Sequence, residues 1–188
     1  MQHEEVIDSV KKARSGMEEN IDHLESELGK VRAGKASPSM LSGLLVDYYG
    51  SPTPLTQVAN ILLSDSRTLS IQPWEKPMIA NIEKAIFEAN LGITPQNNGE
   101  MVILNIPPLT EERRKDLVKK AKSLGEEAKV SIRNNRQKAM DFVKRAVKDG
   151  YPEDQGKRKE NEIQEMVDKY NDKVAKIVEQ KEKDIMTI

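Results

Sequence analysis

The distribution of proline divides this 188-residue chain into three parts. Eight of its nine prolines lie between Pro38 and Pro108, and the ninth, Pro152, falls in a predicted turn. Because proline breaks the interior of a helix, long helices are possible only on either side of this middle region. The pattern therefore predicts long helices at both ends of the chain and a region of short elements between them.

Apolar residues in the two flanking regions recur every three or four residues, which is the period of a helix with one buried face. The first region predicts a helix ending near residue 30, with this buried row: Val6, Val10, Ala13, Met17, Ile21, Leu24, Leu28 and Val31. A second helix is predicted to start after Thr110, its N-cap, and to end near Lys148, where Gly150 and Pro152 follow. Its predicted buried row is Leu117, Ala121, Leu124, Ala128, Ile132, Ala139, Phe142 and Ala146.

A third helix is predicted after Pro152, with a thinner apolar row: Ile163, Met166, Tyr170, Val174, Ile177 and Ile185. The three apolar stripes can be buried together only if the helices pack against one another. We therefore expect an elongated antiparallel three-helix bundle, formed by residues 1–30 and 107–188.

The middle region, residues 31–106, is predicted to form a small inserted β-rich α/β domain, which makes the fold class α+β. Short apolar runs between Gly/Pro turns predict strands at 44–49, 58–63, 68–72 and 101–106. Residues 77–91 predict one helix that is capped by Gly92. The predicted inner face of this helix consists of Ile79, Ile82, Ile86 and Phe87, with Met78 as a further candidate.

The chain passes between the two predicted domains twice, near residues 29–38 and 105–108. Gly29 and Gly34 loosen the first crossing, while Pro107 and Pro108 stiffen the second. Two crossings permit bending but oppose free rotation. The sequence thus predicts a hinge at these residues.

Composition excludes several classes of protein. The chain has no cysteine and only two histidines, and no carboxylates lie at the spacing of metal ligands, so we expect no disulfide, metal or cofactor. No catalytic triad, raised carboxylate pair or nucleotide fingerprint is present, which argues against an enzyme. Neither a signal peptide nor a run of about 18 apolar residues is visible. We expect a cytoplasmic monomer without a membrane partner.

Positive charge is concentrated in the second long helix. Residues 113–148 hold 13 of the chain's 30 Lys and Arg residues but only four of its 31 acidic residues. At about 100° per residue, seven of these cations share the face opposite the apolar row. We call this set the basic ridge: Lys115, Lys119, Lys122, Lys129, Arg133, Arg136 and Lys144.

A lysine-rich helix face is often no more than a solvated surface. Here Glu126 is the only acidic residue within the basic ridge, so ion pairs along the helix cannot neutralise it. We therefore interpret the ridge as a docking surface for a polyanion, most naturally nucleic acid. Arg133 and Arg136 are the best candidates, because a guanidinium engages phosphate through two parallel bonds and stacks on bases. Asn135 falls in the apolar row and is expected to contact another helix.

Two other classes of function compete with this interpretation. A helical chaperone or adaptor that binds protein partners would expose a sizeable apolar patch, which the strict segregation of apolar and polar residues does not favour. An enzyme with a cryptic site would turn over a substrate by itself. Salt sensitivity distinguishes the first alternative, since phosphate contacts weaken steeply with salt whereas apolar contacts do not.

Several segments resemble the ribosome recycling factor family. The most specific is Pro107-Pro108-Leu109-Thr110-Glu111-Glu112-Arg113-Arg114-Lys115-Asp116-Leu117. Further segments match along the whole chain: Val31 to Ser39, Tyr48 to Leu55, Asp65 to Leu69, Glu83 to Ile86, and Ile132 to Arg136. The resemblance implies an L-shaped, tRNA-like outline made of a three-helix bundle and a small β-rich domain.

The resemblance also implies a function. Members of this family act after translation termination, when the bundle binds large-subunit ribosomal RNA at the inter-subunit bridges of the ribosome. Elongation factor G, using GTP that it binds and hydrolyses itself, then drives separation of the subunits. Carried over by motif, the principal RNA contacts would be Arg133 and Arg136. The supporting contacts would be Arg32, Arg114, Lys122 and Lys129.

Overall fold

The computed structural model describes residues 1–31 and 34–187. These residues form four α-helices, α1 (Gln2–Gly29), α2 (Ile79–Glu88), α3 (Glu111–Lys148) and α4 (Glu153–Met186), together with three short 3₁₀ helices and six short strands. The chain forms two compact units, which we call the helical unit (Met1–Ala33 and Glu111–Ile188) and the inserted unit (Gly34–Thr110). Long helices and a small sheet confirm the α+β class.

The helical unit is built from α1, α3 and α4, and each of these helices packs against the other two. Hydrogen bonds at the helix ends fix their directions. Gln2 at the start of α1 donates to the backbone carbonyl of Asp149 after the end of α3. Arg114 at the start of α3 donates to the carbonyl of Met186 at the end of α4. The neighbouring helices are therefore antiparallel, as predicted.

All eight predicted apolar positions of the first helical region are buried, including Val31 just beyond α1. In α3 seven of the eight are buried, and Phe142 is the exception, with 38% of its surface exposed. Phe142 lies in an open groove between α1 and α3. Met140 and Val143 are also buried, and Val143 lies where α4 approaches α3 closely at Gly156.

Three helix-interior glycines permit this close packing. A Cβ atom on Gly125 would lie 2.6 Å from Cγ2 of Val178, so α3 and α4 nearly touch there. A Cβ atom on Gly156 would lie 2.5 Å from Cγ2 of Val147, and one on Gly16 would lie 2.7 Å from Oδ1 of Asn135. These contacts hold α3 firmly between its neighbours.

The apolar row of α4 is interrupted by a lysine. Ile163, Val174 and Ile185 are fully buried, but Lys181 occupies a half-buried position between the last two. Burial lowers the pKa of the Lys181 ammonium, and the nearby Asp184 carboxylate partly opposes this shift. The end of the bundle near Lys181 is thus less apolar than its middle.

The inserted unit contains a hairpin and a four-stranded antiparallel sheet. The hairpin pairs β1 (Leu45–Tyr48) with β2 (Ser51–Pro54). The sheet has the order β3-β4-β6-β5. Its strands are β3 (Ala59–Asp65), β4 (Thr68–Pro73), β5 (Gln96–Asn97) and β6 (Val102–Asn105). Leu69, Ile71, Val102 and Leu104 from its centre pack with Ile82 and Ile86 of α2 in one core.

Three details of the inserted unit differ from the sequence predictions. Phe87 is 72% exposed, because the buried face of α2 turns toward Met78 and away from Phe87. The helix ends at Glu88 and is followed by Asn90, which is left-handed with φ of 55°, while Gly92, also left-handed with φ of 74°, lies two residues further on. The segment with Pro52 and Pro54, which lies between the predicted strands 44–49 and 58–63, forms strand β2, which tolerates proline since it pairs on one side only.

The predicted hinge residues lie at the start and the end of the inserted unit. Gly34 has a φ of 77°, a backbone conformation that favours glycine, and a Cβ atom there would lie 2.8 Å from Cγ of Leu109. Pro107 and Pro108 are both exposed. Motion at these residues stays a prediction.

Candidate nucleic-acid interface

The basic ridge lies on a single unbroken helix. The 38 residues of α3 begin directly after Thr110, with Glu111 and Glu112 in the first turn, where the helix dipole favours acidic side chains. Leu117, Ala121 and Ile132 bury the opposite face. Because the helix is fixed by this burial, the cations of the ridge are held in one row along the unit.

Most of the basic ridge is solvent-exposed: Lys115, Lys119, Lys122, Arg133 and Lys144. Lys129 and Arg136 are half-buried. Among the residues that the structure describes, the only ion pair of the ridge joins Lys129 Nζ to Glu126 Oε1 at 3.6 Å. An exposed pair of this kind contributes at most about 1 kcal/mol, so it yields readily to a stronger anion. The ridge therefore keeps most of its positive charge.

Arg133 is the most accessible candidate. Its side chain makes no hydrogen bond or ion pair within residues 1–31 and 34–187. Asn134 beside it is likewise exposed. An unpaired guanidinium next to a free amide matches the requirements for contacting phosphate and the edge of a base.

Among the described residues Arg136 has one hydrogen-bond partner, and that partner is neutral. Its Nε donates to Oε1 of Gln164 on α4 at 2.9 Å. Gln164 in turn donates through Nε2 to Oδ1 of Asp168 at 3.0 Å. The bond holds the guanidinium without cancelling its charge, so Arg136 is oriented and still cationic.

The two amides near these arginines have other partners. Asn135 is half-buried and contacts α1 at Gly16, which confirms the predicted contact between helices. Gln137 donates to Oδ1 of Asp141 at 2.9 Å. Asn134 is therefore the amide of this run that is free to meet RNA within the described residues.

The other predicted contacts differ in their surroundings. Lys122 is exposed on the ridge. Arg114 is half-buried, and its Nη1 donates to the carbonyl of Met186 at 3.1 Å, so it also caps the C-terminus of α4. Arg32 lies outside the described residues. No group of three or more potential metal-ligating side chains occurs in the described part of the chain.

Comparison with known proteins identifies the family. A sequence model described as "Ribosome recycling factor" matches residues 24–186, which is most of the chain. The chain belongs to the ribosome recycling factor family. The resemblance seen in the sequence is thereby confirmed.

Ribosome-recycling factors of two bacteria align with nearly the whole of this chain. It is 50% identical to the ribosome-recycling factor of Porphyromonas gingivalis over 185 residues, which is 98% of this chain and 100% of the relative. The corresponding protein of Christiangramia forsetii is 52% identical over the same length, with the same coverage of both chains. These similarities support ribosome recycling, a step of protein biosynthesis, as the general function.

Two solved structures of the family resemble this fold. The solution structure of a ribosome recycling factor is 35% identical, with a TM-score of 0.76 over 98% of both chains. The second neighbour is described as models for the Thermus thermophilus ribosome recycling factor and the Escherichia coli elongation factor G bound to the E. coli post-termination complex. It is 41% identical, with a TM-score of 0.61 over 97% of this chain and 99% of the other. Ribosome binding is thus supported for this family.

No helix among the described residues is long and apolar enough to cross a membrane. Gln164, which lies beside the basic ridge, is not among the residues predicted from the sequence. A signal for it exists, since residues equidistant from the turn of an antiparallel helix pair lie side by side. Arg136 and Gln164 are each 14 residues from Gly150.

Proposed function

We propose that this protein recycles ribosomes after termination by binding large-subunit ribosomal RNA at the inter-subunit bridges. With elongation factor G, and the GTP which that partner binds, it splits the post-termination ribosome into subunits. The observation that carries the proposal is the basic ridge of α3, whose cations other than Lys129 have no carboxylate partner within the described residues. Membership of the family supports the choice of ribosomal RNA as the polyanion.

RNA phosphates are the partners that such a ridge fits best. Each phosphate that a cation contacts releases condensed counterions, so binding strengthens with the number of contacts and weakens with salt. Arg133 and Arg136 make the principal contacts in this proposal. Lys122, Lys129 and Arg114 support them, as does Arg32. The row is long enough to span several phosphates, since the 29 helical steps from Lys115 to Lys144 extend about 44 Å at 1.5 Å per residue.

The role of the protein in splitting is mechanical. Its helical unit is closely packed, with Gly16, Gly125 and Gly156 bringing neighbouring helices together, and so resists bending under load. Elongation factor G supplies the energy through its GTP, while the present chain transmits force without chemistry of its own. It acts as a cytoplasmic monomer, without a cofactor.

A light-scattering assay of purified post-termination ribosomes tests this function. Splitting is expected only when the protein, elongation factor G and GTP are all present, and the protein alone should hydrolyse no GTP. Raising the salt concentration should weaken binding of the protein to large subunits, as expected for phosphate contacts. Intact ribosomes in the complete mixture would refute the proposed function. Salt-independent binding to unfolded proteins would instead favour the chaperone alternative.

The hinge has a role in the same proposal, in which Gly34, Pro107 and Pro108 let the inserted unit be moved by the partner. Replacing Pro107 and Pro108 with glycine removes the stiffness of one crossing. We expect the variant to bind large subunits normally but to split ribosomes several-fold more slowly, because a crossing made flexible by glycine passes less of the partner's push on the inserted unit to the helical unit. Pro52→Gly, in exposed strand β2, is the control and should split normally. Equal splitting by all three proteins would contradict the role of the hinge.

A further inference from the structure

Beside the basic ridge, a charged arginine of α3 is paired with a neutral amide side chain of α4. Arg136, the half-buried arginine of the ridge, meets the side-chain amide of Gln164 at 2.9 Å. No carboxylate of the described residues forms an ion pair with it. Charged residues make up 32% of the chain, and acidic side chains serve elsewhere as partners between helices, as Glu162 does for Arg14. The neutral partner therefore leaves the charge of Arg136 available.

The orientation of the Gln164 amide is fixed from both sides. The Nε of arginine can only donate a hydrogen bond, so it must face the oxygen of the amide. An ionised carboxylate can only accept, so Asp168 must face the amide nitrogen. Both conditions are met at once, with distances of 2.9 Å and 3.0 Å. Asp168 thus holds Gln164 in place, and Gln164 holds Arg136.

This chain of hydrogen bonds leaves one part of Arg136 unused. Within the described residues, its terminal nitrogens Nη1 and Nη2 have no partner. These two nitrogens form the end of the guanidinium fork, which can bind a phosphate through two parallel bonds. An arginine side chain loses rotamer entropy of about 2 kcal/mol when it is fixed, and a side chain that is already held loses less on binding.

We propose that Gln164 is a positioning residue for Arg136, which directs the end of its guanidinium toward a phosphate without neutralising its charge. The proposal rests on the proposed function in one respect, namely that Arg136 contacts RNA phosphate. It adds a residue of α4 to a surface otherwise carried by α3. It also explains why an amide, and not a carboxylate, occupies this position.

The test compares Gln164→Glu and Gln164→Met with a matched control. Glutamate keeps the shape of glutamine but pairs ionically with Arg136, whereas methionine keeps the length and removes the hydrogen bonds. Gln180→Glu is the control, because Gln180 donates to Asp184 at 3.1 Å with the same spacing on α4 but has no arginine partner in the described part of the chain. Purified large ribosomal subunits are the probe, and affinity is measured over a series of salt concentrations.

We expect Gln164→Glu to weaken binding roughly ten-fold to a hundred-fold and to reduce the slope of log affinity against log salt by about one, as for the loss of one phosphate contact. Gln164→Met should weaken binding less and leave the slope unchanged, since the charge of Arg136 remains. Gln180→Glu should bind like the parent protein. In an Arg136→Ala background, Gln164→Glu should have no further effect.

A purely structural role for Gln164 would change thermal unfolding but not the salt slope. Equal binding by Gln164→Glu and Gln180→Glu, together with weak binding by Arg136→Ala, would overturn the positioning role and leave the proposed function intact. Normal binding by Arg136→Ala would overturn both the positioning role and the RNA contact at Arg136. The two failures are therefore distinguishable.

Discussion

Replacing Arg133 with glutamate is expected to reduce binding to large ribosomal subunits by about 3 kcal/mol, or roughly a hundred-fold. Two effects add in this variant. A phosphate contact is lost, and a negative charge is brought close to the RNA backbone, where like charges repel. Binding is best measured by co-sedimentation or fluorescence with purified large subunits at moderate salt.

The fold should survive this substitution. Arg133 is exposed and has no hydrogen-bond or ion-pair partner within the described residues, so nothing in the helical unit depends on its charge. Exposed substitutions of this kind change stability by about 0.5 kcal/mol or less. Thermal unfolding of the variant should therefore match that of the parent protein.

A matched control separates a local contact from a general loss of charge. Lys11 on α1 is exposed, and it has no ion-pair partner among the described residues. Lys11→Glu changes the net charge by the same amount at a position outside the basic ridge. We expect it to bind nearly normally. If both variants lose affinity equally, net charge and not the ridge determines binding, and the assignment of Arg133 is wrong.

The helical unit could be predicted closely because its signal repeats over many residues. The eight positions predicted for the first helical region, from Val6 to Val31, are all buried, and α3 begins directly after its predicted N-cap Thr110. Phe142 shows that helical periodicity alone does not determine which residues of α3 are buried. The residue lies at one edge of the apolar stripe, and the position of the neighbouring helices decides which edge is covered.

Short elements were predicted less well. Strands β2 and β5 have four and two residues, so they carry little periodic signal, and prolines argue against the first of them. The apolar pattern of α2 predicts Phe87 on its inner face, but Ile82 and Ile86 are the residues of this helix that are buried. Here tertiary packing decides what a weak local pattern leaves open.

The chemistry of the candidate interface was predicted in part. The ridge follows from charge spacing, which one helix sets by itself. The pairing of Arg136 with Gln164 depends on how two helices are rotated about their axes, and residue spacing within α3 contains no information on that rotation. The positions of the glycines do contain information on this rotation, because Gly125 and Gly156 mark the faces on which α3 and α4 come together.

Filling the space at Gly125 should have the largest effect on stability. Leucine there would bring its Cβ atom to 2.6 Å from Cγ2 of Val178 and 3.8 Å from Cγ1 of Val174, with three more carbons to place. Valine side chains are stiff in helices and cannot rotate away easily. Because overpacking typically costs 1–3 kcal/mol, we expect Gly125→Leu to lower the free energy of unfolding by about 3 kcal/mol.

Far-ultraviolet circular dichroism during heating measures this loss, which should lower the melting temperature by roughly 6–12 °C for a chain of this size. Gly29→Leu makes the same substitution at the end of α1, where nothing lies within 4 Å of the added Cβ atom, and should not destabilise the protein. The double variant Gly125→Leu/Val178→Ala should recover part of the loss, since alanine frees space on α4. Equal melting temperatures for Gly125→Leu and Gly29→Leu would mean that α3 and α4 can move apart at little cost, and a bundle that loose could not transmit force to ribosomal RNA.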